Sequence, residues 1–180
     1  MEEAQRESRM KKQKVHSLTG RITLELVRAA FKTVKRNRGA AGIDKVSVQM
    51  FEANLEDNLP ALLRDLKDGS FEPFPLRRAY IPKNEREKRP LGIPAVRDRI
   101  AQEVVRRLLA PIFEPKFHPH SFGYIQGRNA HQAIQTLLAL HDAGLRQVLD
   151  LDIVGFFDNL QHSVIMRAVA EEVADGNILR

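Results

Sequence analysis

The chain has 180 residues and a mass of 20.5 kDa, which is room for one ordinary domain or a domain and a half, and its 43% hydrophobic residues are enough for a core. It contains no cysteine, which excludes a disulfide framework, a thiolate zinc site and a cysteine nucleophile, and no apolar run of about eighteen residues that would make a transmembrane helix. The net charge of +6 is concentrated in residues 1–38, with eleven Lys/Arg against four Glu, and in residues 77–99, with eight against three; either a polyanionic partner such as nucleic acid or a solvated charged tail accounts for it.

Residues 1–14 are polar and without apolar periodicity, so the expectation is a basic, frayed tail over about 1–20. They lack the apolar stretch and small-residue cleavage site of a secretory signal, and a cytoplasmic location with no membrane partner is expected. Helical spacing begins near Thr23, with Leu24, Val27, Phe31 and Val34 on one face. It stops at Asn37-Arg38-Gly39-Ala40-Ala41-Gly42. A second helix is predicted over about 47–66, with Phe51, Leu55, Leu59, Leu62 and Leu66 as its stripe and Ser47 as cap. Pro60 predicts a kink or a break, and Gly69 an end.

Between Pro73 and Pro94, Ala79–Ile81 and Leu91–Ile93 read as strands of a β-hairpin around the charged turn Asn84–Lys88. A helix follows with Ile100, Val104, Leu108 and Ile112 at steps of four, and Arg97, Arg99, Gln102, Arg106 and Arg107 on its other face. Pro115–Gly127 reads as loop. Another helix is predicted over Asn129–Asp142, with Ala130, Ile134, Leu137 and Leu138 facing inward. Arg146–Ile153 reads as a strand and His162–Val173 as a last helix.

The segment Val148–Asp158 carries the most chemistry. Strand parity places Asp150 and Asp152 on one face, roughly 7 Å apart. Buried carboxylates need a compensating cation, and hard divalent metals such as Mg²⁺ prefer oxygen ligands. An edge strand whose aspartates face water accounts for the same pattern.

Asp152-Ile153-Val154-Gly155-Phe156-Phe157-Asp158-Asn159-Leu160 resembles the first catalytic motif of the reverse transcriptase palm, in the form found in group II intron-encoded proteins. Tyr80-Ile81-Pro82-Lys83, Arg89-Pro90-Leu91-Gly92-Ile93-Pro94 and Arg97-Asp98-Arg99 resemble their fingers motifs. Ser121-Phe122-Gly123-Tyr124 and Gly127-Arg128-Asn129-Ala130-His131 do so too. Gly39-Ala40-Ala41-Gly42-Ile43-Asp44 resembles the extension that precedes the fingers. These matches fall in order over about residues 20–175.

The resemblance implies an α+β fold: a helical N-terminal extension (21–72), fingers with a β-hairpin and helices (73–145), and the first strand and helix of an incomplete palm (146–180). It implies RNA-directed DNA polymerase activity with two Mg²⁺ ions, with intron RNA template, DNA primer and dNTPs as partners. Asp152 matches the catalytic metal-binding aspartate, and the backbone carbonyl of Ile153 a second metal contact. Lys83 and Arg89 match the residues that hold the dNTP triphosphate, a point charge and a bidentate fork. Phe157 matches the bulky residue that would clash with a ribose 2′-OH. Arg77, Arg78, Arg128 and Asn129 are the candidates for nucleic-acid contact, the last two opening a helix where free N–H groups favour phosphate. Asn129 is equally well explained as an N-cap.

Tyr124-Ile125-Gln126-Gly127-Arg128 departs from the family's usual Phe-Arg-Pro-Gly-Arg, which weakens a template contact there. The Tyr-Ala-Asp-Asp motif, which carries the other metal-binding carboxylates, is not among the 180 residues, and one aspartate cannot hold two metals. The expectation is therefore the front part of a polymerase, not polymerising alone, with the remainder of the enzyme as a partner. Alternatives are a non-catalytic structured-RNA-binding module, a retroelement remnant, or a piece of a retron- or CRISPR-type reverse transcriptase.

Overall fold

In the computed structural model, which describes residues 14–82 and 87–180, the first long helix is α1, Leu24–Arg36. Thr23 caps it, its hydroxyl oxygen accepting from the Leu26 N–H at 3.1 Å. Val27, Ala30, Phe31 and Val34 recur at helical spacing and are buried, while Leu24 stays at the rim. Helices α2 (Val48–Ala53) and α3 (Leu55–Asp68) follow. Ser47 caps α2 as expected, its oxygen accepting from Met50 N–H at 3.1 Å.

The predicted interruption exists, but at Asn54 and not at Pro60. Asn54 leaves helical geometry with φ −116° and ψ 36°. Asn58 Nδ2 donates to the Phe51 carbonyl at 2.9 Å, satisfying an acceptor that the end of α2 would otherwise leave open. Pro60 is accommodated inside α3. Gly69, at φ 70°, terminates that helix in the left-handed conformation.

The hairpin is found, with strands longer than expected: β1 (Arg77–Pro82) and β2 (Lys88–Ile93) pair antiparallel, Arg77 opposite Ile93 and Pro82 opposite Lys88. Helix α4 then runs Val96–Phe113, and a short 3₁₀ turn occupies Glu114–Lys116. Helices α5 (Ala130–Asp142), α6 (Phe156–Asn159) and α7 (His162–Glu172) complete the order. The fold is mostly helical with one hairpin, a mixed α+β arrangement.

Contacts divide the chain into two units, residues up to Leu109 with Ala168–Arg180, and Ala110–Arg167. The first holds the core: Ile22 and the buried face of α1 meet Val48, Phe51, Leu59 and Leu62, with Val96, Ile100, Val104 and Leu108 from α4. Phe31 and Phe51 stack with centroids 5.9 Å apart. The C-terminal segment belongs to this unit. Val15 N–H donates to Glu172 O at 2.7 Å and Ala174 N–H to Val15 O at 2.9 Å, a parallel bridge beside buried Leu18 and Val173.

The second unit corrects two expectations. Residues 146–153 form no strand among the described residues, and Val148, Leu149, Leu151 and Ile153 are open to solvent. A strand is defined by its ladder, and the hairpin is the sole sheet among the described residues. Helix α5 has the predicted bounds, but Ala130, Ile134, Leu137 and Leu138 do not face inward; all four are exposed. Periodicity makes a helix amphipathic, yet burial needs an opposing element.

Candidate nucleotide and nucleic-acid site

Three of the predicted residues lie on the hairpin. Arg89 is opposite Ile81, and Arg77 is two pairs further along the same face, opposite Ile93. Arg78, opposite Gly92, projects from the other face with Lys88. Lys83 lies outside the described residues. All three arginines are exposed, but they are not equivalent. Arg77 Nε donates to the Ala41 carbonyl at 2.9 Å, so it also fastens the loop after α1.

Arg99 holds the same loop from α4, its Nη2 donating to Ala40 O at 2.7 Å. The glycines make this approach possible. A Cβ on Gly39 would stand 1.8 Å from Arg99 Nη1, and one on Gly42 2.5 Å from Ala95 Cα. Arg99 Nε is buried without a partner, and burial lowers the pKa of the guanidinium against the raising effect of Asp44. Beside it a cleft of about 400 Å³ is lined by Thr33, Asn37, Gly39, Gln102, Glu103 and Arg106 among others.

The cationic face expected on α4 is largely consumed within the protein. Glu103 accepts from Arg106 Nε at 2.7 Å and from Arg107 Nε at 2.8 Å. The hydrogen bond from Arg106 is the largest influence holding the Glu103 pKa below its ordinary value. Arg107 also reaches Thr33 Oγ1 at 2.9 Å. Arg97 pairs with Asp65 at 2.9 Å and lies over the Phe71 ring, 4.7 Å from its centroid.

Arg128 and Asn129 are neighbours with separate local tasks. Asn129 forms a full capping box: its side chain accepts from Gln132 N–H at 3.1 Å, and Gln132 Oε1 accepts from Asn129 N–H at 2.9 Å. Arg128 Nη1 donates to the carbonyls of His118, Pro119 and Ser121 at 2.8, 3.2 and 2.6 Å.

Asp152, Ile153 and Phe157 share one solvent-open segment with Asp150 and Asp158. Gly155 turns it into α6 at φ 59°, and Phe157 meets Phe156 edge to face at 5.3 Å. Asp152 has the hard oxygen that Mg²⁺ favours. No three acidic or histidine side chains converge on one point among the described residues, so this donor set does not by itself fit a two-metal centre.

Three residues were given no role of their own by the sequence. Arg99 stood on the polar face of a helix and in a motif, Asp98 only in that motif, and Asp175 gave no signal. Asp98 is buried, one oxygen accepting from Phe74 N–H at 3.0 Å and the other unpartnered. An acidic residue next to two arginines on a helix reads as surface.

Residues 81–177 match the family profile described as reverse transcriptase (RNA-dependent DNA polymerase). The chain is 39% identical over 142 residues to Protein YkfC of Escherichia coli strain K12, covering 77% of this chain and 37% of that protein. It is 35% identical over 149 residues to the group II intron-encoded protein LtrA of Lactococcus lactis subsp. cremoris, covering 81% and 24%. Nuclear intron maturase 1, mitochondrial, of Arabidopsis thaliana is 31% identical over 86 residues, covering 48% and 12%. The chain thus spans little more than a third of the first of these curated relatives and less of the others. It belongs to the reverse transcriptase (RNA-dependent DNA polymerase) family.

Proposed function

We propose that this chain is the fingers and first palm segment of an RNA-directed DNA polymerase of the group II intron type. The observation that carries the reading is the placement of the family match. It encloses Lys83, Arg89, Arg128, Asn129, Asp152, Ile153 and Phe157, and Arg89, Asp152, Ile153 and Phe157 are solvent-facing, as groups that meet a nucleotide must be.

In this reading Lys83 and Arg89 neutralise the triphosphate of an incoming dNTP. The Phe157 ring excludes a ribose 2′-OH by its bulk. Arg77, Arg78, Arg128 and Asn129 contact the phosphate backbone of RNA template and primer. Asp152 and the Ile153 carbonyl supply oxygen ligands toward Mg²⁺, and further carboxylates come from a polypeptide that completes the palm.

The test is primer extension on an RNA template with dNTPs and Mg²⁺. The 180-residue chain alone is expected to give no product, and adding the downstream part of a group II intron reverse transcriptase in trans is expected to restore it. Extension by the chain alone would overturn the division of the active site. RNA binding that survives Asp152→Ala, with no extension under any complementation, would make the chain an RNA-binding module instead.

A further inference from the structure

The hairpin is cationic on both faces, and only one of them holds Arg89, the residue proposed for the triphosphate. Strand parity puts Arg77, Ala79 and Ile81 on that first face with Ile93, Leu91 and Arg89. It is turned toward the body of its unit: Arg77 reaches the Ala41 carbonyl, and Ala79 and Ile93 are partly buried. The second face carries Arg78, Tyr80 and Pro82 from β1 with Gly92, Pro90 and Lys88 from β2, and all six are exposed. It has two cations and no carboxylate. The side chains of Arg78, Tyr80 and Lys88 make no hydrogen bond, ion pair or ring contact among the described residues.

Tyr80 is the centre of this second face. Its ring is 59% exposed, and the residue across the ladder is Pro90. Arg78 stands two residues back on the same strand, roughly 7 Å away, opposite Gly92, which has no side chain. Lys88 is the diagonal neighbour on the other strand, about 7–8 Å away. An aromatic ring is therefore set between two cations, with only short residues beside it. Leu76 lies against Gly92, where an added Cβ would stand 2.7 Å from its Cδ1, so apolar surface continues past Arg78.

Strand propensity alone accounts for a tyrosine on a hairpin. It does not account for a cation on each side of that ring, on a hairpin that already carries Arg77 and Arg89 on its other face. Four cations on two short strands repel one another, and a polyanion relieves that repulsion.

We propose that the face made by Arg78, Tyr80 and Lys88 binds unpaired RNA, with one base stacked on the Tyr80 ring and the phosphates flanking it held by Arg78 and Lys88. A nucleotide within a strand has a phosphate on either side of its base, and cation, ring, cation is the order in which this face is built. Stacking on an aromatic is open to every base, whereas bases paired in a duplex keep their faces covered. The site rests on the nucleic-acid part of the functional reading for its ligand class, and not on polymerisation. It places RNA on the opposite side of the hairpin from Arg89.

The 180-residue chain has no tryptophan and two tyrosines, Tyr80 and Tyr124, so in a Tyr124→Phe background tyrosine fluorescence reports Tyr80 alone. The probes are an unstructured RNA about 12 nucleotides long and a duplex RNA of the same length. Binding of the single strand is expected to quench the tyrosine, after correction for absorbance by the RNA. In the otherwise native chain, Tyr80→Ala and Tyr80→Ile are each expected to weaken single-strand binding about ten-fold with the salt slope unchanged. Isoleucine keeps the strand propensity that alanine loses. Tyr80→Phe is expected to bind as wild type. Arg78→Ala with Lys88→Ala is expected to reduce the slope of log affinity against log salt by about 1.4, the counterion release from two phosphates of a single strand. Leu91→Ala, on the other face, is expected to leave affinity unchanged, and duplex binding is expected to be indifferent to Tyr80.

Single-strand binding without quench, or undiminished in Tyr80→Ile, overturns the proposal and leaves the nucleic-acid reading standing. So does an equal loss in Leu91→Ala, an unchanged salt slope in the double variant, or duplex binding that Tyr80→Ile weakens as much. Absence of binding to either RNA at low salt overturns both.

Discussion

Asp175 and Thr19, 156 positions apart in the chain, are joined by two hydrogen bonds of 2.7 Å, from the Thr19 N–H and from its hydroxyl to the two carboxylate oxygens. Asp175 also accepts from Asn177 N–H at 3.1 Å and Ile178 N–H at 3.4 Å. One buried carboxylate therefore closes the first unit by holding its N-terminal segment and its C-terminal segment together. Asn177 Nδ2 continues the clasp to Lys67 O at 3.0 Å, at the end of α3.

Removing that carboxylate should be costly, because the Thr19 donors would be left without their acceptor. Asp175→Ala is expected to lower the unfolding free energy by about 2–3 kcal/mol. Burial alone would raise the Asp175 pKa, but the hydrogen bonds from Thr19, Ile178 and Asn177 outweigh it and the net shift is downward. A depressed carboxylate stabilises the fold fully above its unfolded pKa of about 4, and this is lost as pH falls through the folded value. Urea midpoints measured down the acid limb should fall more steeply for wild type than for Asp175→Asn.

Asp98 should behave with the opposite sign. Burial raises its pKa, against the Phe74 N–H and Arg97, with Asp44 adding to the rise. Its contribution is full below the unfolded pKa of about 4 and is lost as pH rises through the raised folded value. Asp98→Asn keeps an acceptor for Phe74 and carries no charge, so its stability at neutral pH should equal or exceed wild type. Asp98→Ala strands the Phe74 N–H and should cost about 1–3 kcal/mol. The comparison of the two variants by urea unfolding at pH 7 checks both statements.

Gly42 should be intolerant of any side chain. A Cβ there meets Ala95 Cα at 2.5 Å and Ala95 N at 2.7 Å, backbone atoms that cannot rotate away. Gly42→Ala is expected to cost about 1–3 kcal/mol by overpacking. At Gly20 an added Cβ has nothing within 4 Å. Gly20→Ala is therefore the control, and a comparable loss at both positions in thermal unfolding would refute the steric argument.

Asp152 and Phe157 should separate stability from activity. Both are exposed, Phe157 by 80%, so Asp152→Ala and Phe157→Ala should each change unfolding free energy by no more than about 0.5 kcal/mol. In a polymerase completed in trans, Asp152→Ala should abolish extension. Phe157→Ala should instead admit ribonucleotides, read as product formed with rNTPs in place of dNTPs.

Local structure was legible where the chain is governed by its own neighbours. Ser47 and Asn129 cap the helices that follow them, and Gly69 ends α3, because caps and left-handed stops are set within a few residues. The hairpin between Arg77 and Ile93 was legible for the same reason. The break at Asn54 was not, since it depends on the Asn58 side chain reaching back to the Phe51 carbonyl. The motif residues were legible as types and in order, but their present partners were not. Arg77 read as a cation for nucleic acid and Arg99 as one more arginine on a helix face, whereas both donate to carbonyls of the loop Gly39–Gly42.

By itself, then, the sequence determined the helix phases, their caps, the hairpin and the family, all of which rest on spacing and residue type along the chain. Tertiary structure decided which apolar faces found a partner. The faces of α1, α3 and α4 share a core, while Ile134, Leu137 and Leu138 of α5 and the apolar residues of 148–154 remain open to solvent. Periodicity specifies a face, but burial is a property of two surfaces, and only one of them is written in the segment that displays it. The same holds for charge: Asp175 and Asp98 acquire opposite shifts from similar side chains, because burial prevails at Asp98 over the Phe74 N–H and Arg97, whereas four donors outweigh burial at Asp175.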